Sequence, residues 1–551
     1  MEENRSDLYH PLLLEYNRAP EHYEKRPEAT VILEASNPLC GDKFVLYLDV
    51  ENGVVVRASF YGHGCAVSKA SASVLMRKIQ GRPVAEIRLL LAVFLQLLCD
   101  TSAAAVAPDA DFAIFLPVRQ YQERLGCATL AWERLINFSG KIEPMFDALQ
   151  LRKEFPLLDG YPDLVFLDNA ATTQKHQTVI EAERRFYTHQ NANVHRAVYP
   201  LAAAATVAYE RTREQLRAFL NARYAAEIIF TSGATAAINL VAHSFGPERL
   251  QAGDAVLVSA MEHHANLVPW QQLCRRRQAR LLVAPLSPGG ALDDLAFERC
   301  LTEHPVRLVA LTQASNVLGT INPVRELAAL AHRHGAAVLV DAAQSAAGMP
   351  IDVQDLDADF LVFSAHKMYG PTGLGVLYGK KHLLDEMPPW QTGGEMIREV
   401  SFGHTEFAPP PQKFEAGTPN LAGVAAFGAA LDFLTALGRE NIALHLRALR
   451  DYAAGELARI PGLTLIGRAP ETTGILSFAV DGVHPHDLST LLGEQQLCIR
   501  AGHHCAQPLL ELLGLPGGTA RASFAVYTAE PDVRRLAEGL LRALRILRAV
   551  P

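Results

Sequence analysis

Lys367 lies in Phe363-Ser364-Ala365-His366-Lys367-Met368-Tyr369-Gly370-Pro371-Thr372-Gly373, where an apolar run gives way to turn-forming residues. A lysine at a strand terminus, beside serine and histidine, is placed to form a Schiff base with an aldehyde cofactor; a surface lysine in a loop is the alternative. Upstream, Asp341 closes the apolar run 338–340, where a carboxylate can pair with a protonated pyridine nitrogen or simply cap a helix. Thr231-Ser232-Gly233-Ala234-Thr235 leads into a helix expected over 236–242, and backbone N–H groups at a helix start bind phosphate. Each feature is weak alone. Three in this order, each at a strand end, point together to a phosphate-bearing aldehyde cofactor.

Sulfur supplies the second kind of chemistry. Cys505 follows His503-His504 in a short turn, and a thiolate is the reactive form that neighbouring imidazoles or cations stabilise. Its alternative is a buried structural cysteine, the reading that suits Cys498 in its apolar run. Near the N-terminus, Cys40, Asp42, Cys65 and Cys127 come from three separate turns or helix starts. Three thiolates and a carboxylate converging in this way could close a tetrahedral zinc site, although scattered cysteines in a reduced protein can also stay unliganded. Eight cysteines in 551 residues do not make a disulfide framework.

Two patterns of elements must position these groups. Up to about residue 137, alternating strand-like stretches (43–50, 54–61) precede helical ones (68–79, 128–135), which predicts a small α+β unit. Residues 101–110 read as an exposed loop. From 151 onward, short apolar runs at 228–230, 255–258, 308–311, 337–340 and 360–363 alternate with amphipathic helices, which predicts a parallel sheet covered on both faces. A smaller α+β domain is expected from about 444. The expected division is therefore 1–140, a linker over 141–150, and 151–551.

Composition narrows the function class. Apolar residues make up 49% and charged residues 20%, enough to bury a core. A net charge of −8 gives no electrostatic reason to expect nucleic acid or an anionic membrane surface as partner. The first residues lack the layout of a signal peptide, and the apolar run 89–98 is about half a membrane span, so a cytoplasmic protein is expected.

The segment from about 151 to 550 resembles the group II (SufS-type) cysteine desulfurases of the fold-type I pyridoxal-phosphate enzymes. The resemblance rests on the lysine segment and on Asn193-Val194-His195-Arg196, Met261-Glu262-His263-His264-Ala265-Asn266, Ala314-Ser315-Asn316-Val317-Leu318-Gly319, Phe414-Glu415-Ala416-Gly417-Thr418-Pro419 and Arg500-Ala501-Gly502-His503-His504-Cys505-Ala506. It implies an α/β fold, with a large parallel-sheet domain and a small C-terminal domain, that turns L-cysteine into L-alanine with pyridoxal phosphate. Lys367 would be the Schiff-base lysine, Asp341 the partner of the pyridine nitrogen, Gln344 that of the ring hydroxyl, and His263 the stacking proton shuttle. Thr235, Ser364 and His366 would hold phosphate, with Thr418 reaching in from the partner of a homodimer. Asn316, Arg500 and Arg521 would orient the substrate, Arg521 as carboxylate clamp, and Cys505 would carry a persulfide. In the family's Gly-Thr-Thr turn this chain has Gly233-Ala234-Thr235, one hydroxyl fewer.

Residues 8–135 resemble the SufU-like branch of the IscU-type scaffolds through the Cys40-Gly41-Asp42 turn, Gly64-Cys65-Ala66-Val67-Ser68-Lys69-Ala70-Ser71-Ala72-Ser73 and Arg124-Leu125-Gly126-Cys127-Ala128-Thr129-Leu130-Ala131-Trp132. Gly126 stands where scaffold-type members carry a ligating histidine. The resemblance implies zinc held by Cys40, Asp42, Cys65 and Cys127, with Cys40 accepting sulfur for the iron–sulfur assembly machinery. His486 matches the histidine that replaces the departing cysteine on zinc in partner enzymes. An iron–sulfur scaffold fused to a desulfurase, or a selenocysteine lyase, are the other readings.

Overall fold

Alternating burial along two strands, Lys43–Glu51 and Val54–His63, turns Phe44, Leu46, Leu48, Ala58 and Phe60 to one side, and an antiparallel meander follows from their pairing. The computed structural model describes residues 10–37, 41–51, 54–82, 87, 90, 94, 97–98, 110–139, 146–196 and 198–549. It forms two units, Met1–Met145 and Phe146–Pro551. In the first, β1 (Val31–Ser36), β2 (Lys43–Glu51) and β3 (Val54–His63) form a sheet in that order. Helices Ala66–Ile79 and Gln122–Ser139 pack together: Ala70, Ser71, Ala72 and Ser73 are small and buried, so the backbones approach closely. Trp132 donates to Ser71 Oγ at 2.7 Å, and Phe94 stacks on its ring at 3.9 Å. Of the described residues of the apolar stretch, Ile87, Phe94, Leu97 and Leu98 are core, and half-buried Leu90 packs against them. Positions 101–109 lie outside the described residues.

One boundary differs from expectation. Gly126-Cys127 was expected to open a helix, yet the helix starts at Gln122, so Cys127 sits inside it. Glycine reads as a helix boundary because it lacks side-chain packing, but here a Cβ at 126 would come 3.3 Å from the Asn37 amide. The helix passes close to the β1–β2 turn at that point.

In the second unit β4 (Val165–Phe166) begins a series that continues with β5 (Ile228–Thr231), β6 (Ala255–Ser259), β7 (Arg280–Ala284), β8 (Val306–Thr312), β9 (Ala337–Asp341), β10 (Phe360–Ser364) and β11 (Gly375–Gly379). The large sheet runs β5-β11-β10-β9-β8-β6-β7. It is mixed, not wholly parallel: β11 is antiparallel to both β10 and β5. The physical reason is local, since the loop 365–374 returns the chain directly and leaves no room for a crossover helix, which a parallel neighbour needs. A hairpin, β12 (Ile397–Val400) with β13 (Thr405–Phe407), follows.

The small domain carries β14 (Leu463–Ile466), β15 (Ile475–Val480), β17 (Arg500–Gly502) and β18 (Thr519–Ser523) in the order β14-β15-β18-β17, flanked by helices Arg439–Leu457 and Glu530–Ala549. The intervening β16 (Leu497–Cys498) pairs with β4, so both ends of the unit meet there. Residues 146–150, expected as linker, belong to this unit: Asp147 caps helix Ala148–Arg152, and the Phe146 ring lies 5.1 Å from that of His445. Among the described residues no single helix is long and apolar enough to cross a membrane.

Candidate active site

Five strands of the large sheet end on one cavity of about 200 Å³. Ala234 and Thr235 follow β5, His263 follows β6, Thr312 ends β8, Asp341 ends β9, and Ser364, His366 and Lys367 follow β10; Arg500 and Arg521 enter from the small domain, with Gln344 and Asn316 from loops. Clefts at the carboxyl ends of such strands are where α/β sheets bind ligands, because helix starts and loops converge there. Eleven of the expected residues are thus brought together: Lys367, His263, Asp341, Gln344, Thr235, Ser364, His366, Asn316, Arg500 and Arg521 line the cavity, and Cys505 stands beside Arg500. Thr418 is exposed and lies outside its own chain's cavity lining.

The electrostatics follow from burial. Loss of water holds the Lys367 ammonium below its ordinary pKa, opposed by Asp341, while burial pushes the Asp341 carboxyl up, opposed by the Ala343 N–H. His263 is held at about 3 by burial and by nearby Lys367. Its Nδ1 accepts from Ala265 N at 3.0 Å, so the neutral ring carries its proton on Nε2. The helix Ala234–Ser244 begins beside Ser364, whose Oγ accepts from Ala234 N at 2.8 Å. A Cβ on Gly375 would come within 2.4 Å of Gly233, so β11 presses directly on this helix start. A buried amine, a buried acid across the cavity and hydroxyl and N–H donors at a helix start form a donor set that fits pyridoxal phosphate.

Cys505 is half-buried at φ 58°, a left-handed conformation that His504 shares at 51°. Two bonds fix this turn: His264 N donates to Cys505 O at 2.7 Å and Asn316 Nδ2 to His504 O at 2.6 Å. The cation on the thiol is Arg500, with Nη2 3.5 Å from Sγ. The flanking imidazoles, expected from sequence to activate the thiol, are engaged elsewhere, His503 on Pro516 O and His504 on Thr519. Cys498 is half-buried rather than core. His486 is exposed, and a Cβ on Gly502 would meet its Nε2 at 3.3 Å, which places that ring against the strand leading to Cys505.

Sequence reasoning overlooked several residues. Asp168 pairs with Arg521 at 3.0 Å; an acid directly after the apolar run 165–167 was the available signal. Glu262 is fully buried among Ser259, Thr312 N and Asn266, with its pKa pushed up to about 7 by burial. Lys175 donates to His366 O at 3.0 Å, beside Thr172 and Thr173 hydroxyls on the same carbonyl.

In the N-terminal unit, ligand atoms of Asp42, Cys65 and Cys127 all lie within 4.8 Å of one another. Asp42 Oδ1 accepts from Cys65 N, and its buried Oδ2 has no hydrogen-bond partner. Two thiols and a carboxylate with an orphaned oxygen fit three of the four donors of a tetrahedral metal. Cys40 lies outside the described residues.

Residues 165–536 match the family model for class-V aminotransferases, and residues 8–128 match that for the NifU-like N-terminal domain. The chain belongs to the class-V aminotransferase family. Among relatives of this class-V chain, a cysteine desulfurase of Pectobacterium carotovorum is 49% identical over 403 residues, covering 72% of this chain and 98% of the relative. A cysteine desulfurase of Synechococcus elongatus is 47% identical over 401 residues, 72% of this chain but 64% of the longer relative. The crystal structure of the Escherichia coli cysteine desulfurase CsdA superposes with a TM-score of 0.68 at 42% identity, over 73% of this chain and 99% of that one. Fold and family together make this a pyridoxal-phosphate-dependent class-V fold, preceded by a NifU-like domain.

Proposed function

We propose that the protein is a SufS-type cysteine desulfurase that converts L-cysteine to L-alanine, collects the sulfur on Cys505 and passes it to its own SufU-like unit. The observation that carries this reading is the Cys505 thiol on Arg500, a residue that itself lines the cavity ending on Lys367. Bound pyridoxal phosphate would supply an electron sink for the substrate Cα. Asp341 would keep the ring nitrogen protonated, Gln344 would meet the ring hydroxyl, and Ala234 N, Thr235, Ser364 and His366 would hold the phosphate, with Thr418 added from the partner of a homodimer. Arg521 and Asn316 orient the substrate carboxylate. Lys367, whose burial favours the neutral amine, takes the Cα proton. His263 would stack on the ring and would shuttle protons through its Nε2–H. The Cys505 thiolate attacks the substrate Sγ; the Cβ–Sγ bond breaks with its electron pair left on carbon, Cβ gains a proton, and a persulfide remains on Cys505.

Zinc on Cys40, Asp42, Cys65 and Cys127 would close the N-terminal site, with Cys40 leaving the metal to accept sulfur and His486, at the mouth near Cys505, replacing it. Downstream, the iron–sulfur assembly machinery would receive the sulfur. Gly126 in place of a ligating histidine favours this over a cluster scaffold; the NifU-like match supports the scaffold as the second reading. Alanine and sulfide release from L-cysteine tests both, with metal content measured in parallel. Cys505→Ala is expected to lose persulfide-dependent turnover entirely, and Cys40→Ala to be slow without dithiothreitol and to lose zinc. Retained turnover in Cys505→Ala refutes the desulfurase mechanism, and iron in place of zinc after anaerobic purification favours the scaffold.

A further inference from the structure

Arg521 is 1% exposed, and its three nitrogens have separate fates. Nη1 donates to Asn316 O at 2.9 Å, Nη2 donates to Asp168 Oδ1 at 3.0 Å, and the buried Nε has no partner. Arg500 lines the same cavity, so two guanidiniums repel each other there. An unanchored arginine side chain in this position has several rotamers and a free choice of partner carboxylates.

Asp168 removes that freedom. Its backbone bridges Ser523, two residues from Arg521 along β18, while Leu167 N bonds Cys498 O and Ser523 N bonds Leu167 O. The acid therefore sits on a segment stitched to the same small sheet as the arginine, and moves with it. It takes one side of the guanidinium and Asn316 O takes another, which leaves Nε as the one nitrogen without a partner on a residue that lines the cavity.

We propose that Asp168 is a positioning residue that presents the Nε edge of Arg521 to the α-carboxylate of an amino acid, and so sets affinity for amino acids without touching them. The proposal rests on the reading of Arg521 as the carboxylate clamp. The test is an absorbance titration of holoenzyme with L-alanine and with L-alaninol, which has the same amine but no carboxylate. Asp168→Ala is expected to weaken L-alanine binding roughly tenfold, the order of one lost charge-assisted contact, and to leave L-alaninol unchanged; Asp168→Glu recovers part of the loss. Arg521→Ala, run alongside, should show the same selectivity. If Arg521→Ala is selective and Asp168→Ala is not, or weakens both ligands alike, the proposal falls and the clamp stands. If Arg521→Ala itself does not discriminate the two ligands, clamp and proposal fall together.

Discussion

His263, His366, His445 and His504 are all held well below the ordinary histidine value by burial, at about 3, 4, 4 and 3. Above pH 6.5 neither the folded nor the unfolded chain protonates them. As pH falls through that value the unfolded chain gains protons that the fold refuses, so the stability they contribute is lost progressively down to about pH 4. Glu262, held up at about 7, works in the opposite sense between its unfolded value and 7, because there the fold keeps a proton that the unfolded chain has released. The four buried histidines thus pull the melting temperature of apoprotein down between pH 7 and pH 5, while Glu262, joined by Asp341 and His332, which are also held up, pulls it the other way; His445→Gln should flatten the fall, and Glu262→Gln should steepen it. Thermal melts across the range measure both. Lys367, Asp341 and Cys505 were legible from their neighbours in the sequence. Asp168, Lys175 and Glu262 were not, because their importance lies in partners brought close only by folding, across more than 350 positions between Asp168 and Arg521.

The pairing of elements accounts for how the end of the cavity at Ala234 and Ser364 is built. Gly375 on β11 allows that strand to lie against Gly233, and any Cβ there strikes backbone rather than a flexible side chain. Gly375→Ala is expected to push the start of helix Ala234–Ser244 away from Ser364 and to abolish retention of pyridoxal phosphate through dialysis, read as loss of its visible absorbance. On the other side, the turn 172–175 puts two hydroxyls, the Thr173 N–H and the Lys175 ammonium on the single carbonyl of His366, the peptide that leads into Lys367. Lys175→Met should loosen Lys367, the proposed Schiff-base residue, and raise the dissociation rate of the cofactor severalfold, with Lys175→Arg recovering most of it. The alternation of apolar runs and helices showed five of the seven strands of the large sheet. It did not show β7, whose run 280–284 is only partly buried, or β11, whose glycines at both ends read as turn.

For the molecule as a whole, the order of a small α+β unit followed by an α/β enzyme was written in the change of pattern near residue 150, but the seam was not, since helix propensity over 148–152 is too short a signal beside a polar stretch. Phe146 and Asp147 belong to the second unit. A second unit beginning at Phe146 should therefore melt a few degrees above one beginning at Leu151, which lacks the helix cap and the contact with His445, worth together about 2 kcal/mol. The turn that bears Cys505 has a further consequence. Both carbonyls of His504 and Cys505 are tied down, so the thiol travels only as far as rotation about its own Cα–Cβ bond allows. If Cys505 carries sulfur as proposed, delivery would then be a matter of the recipient's approach rather than the donor's reach: the pace of handover would be governed by how often an acceptor thiol arrives at a fixed address, and an acceptor tethered to the same chain would arrive more often.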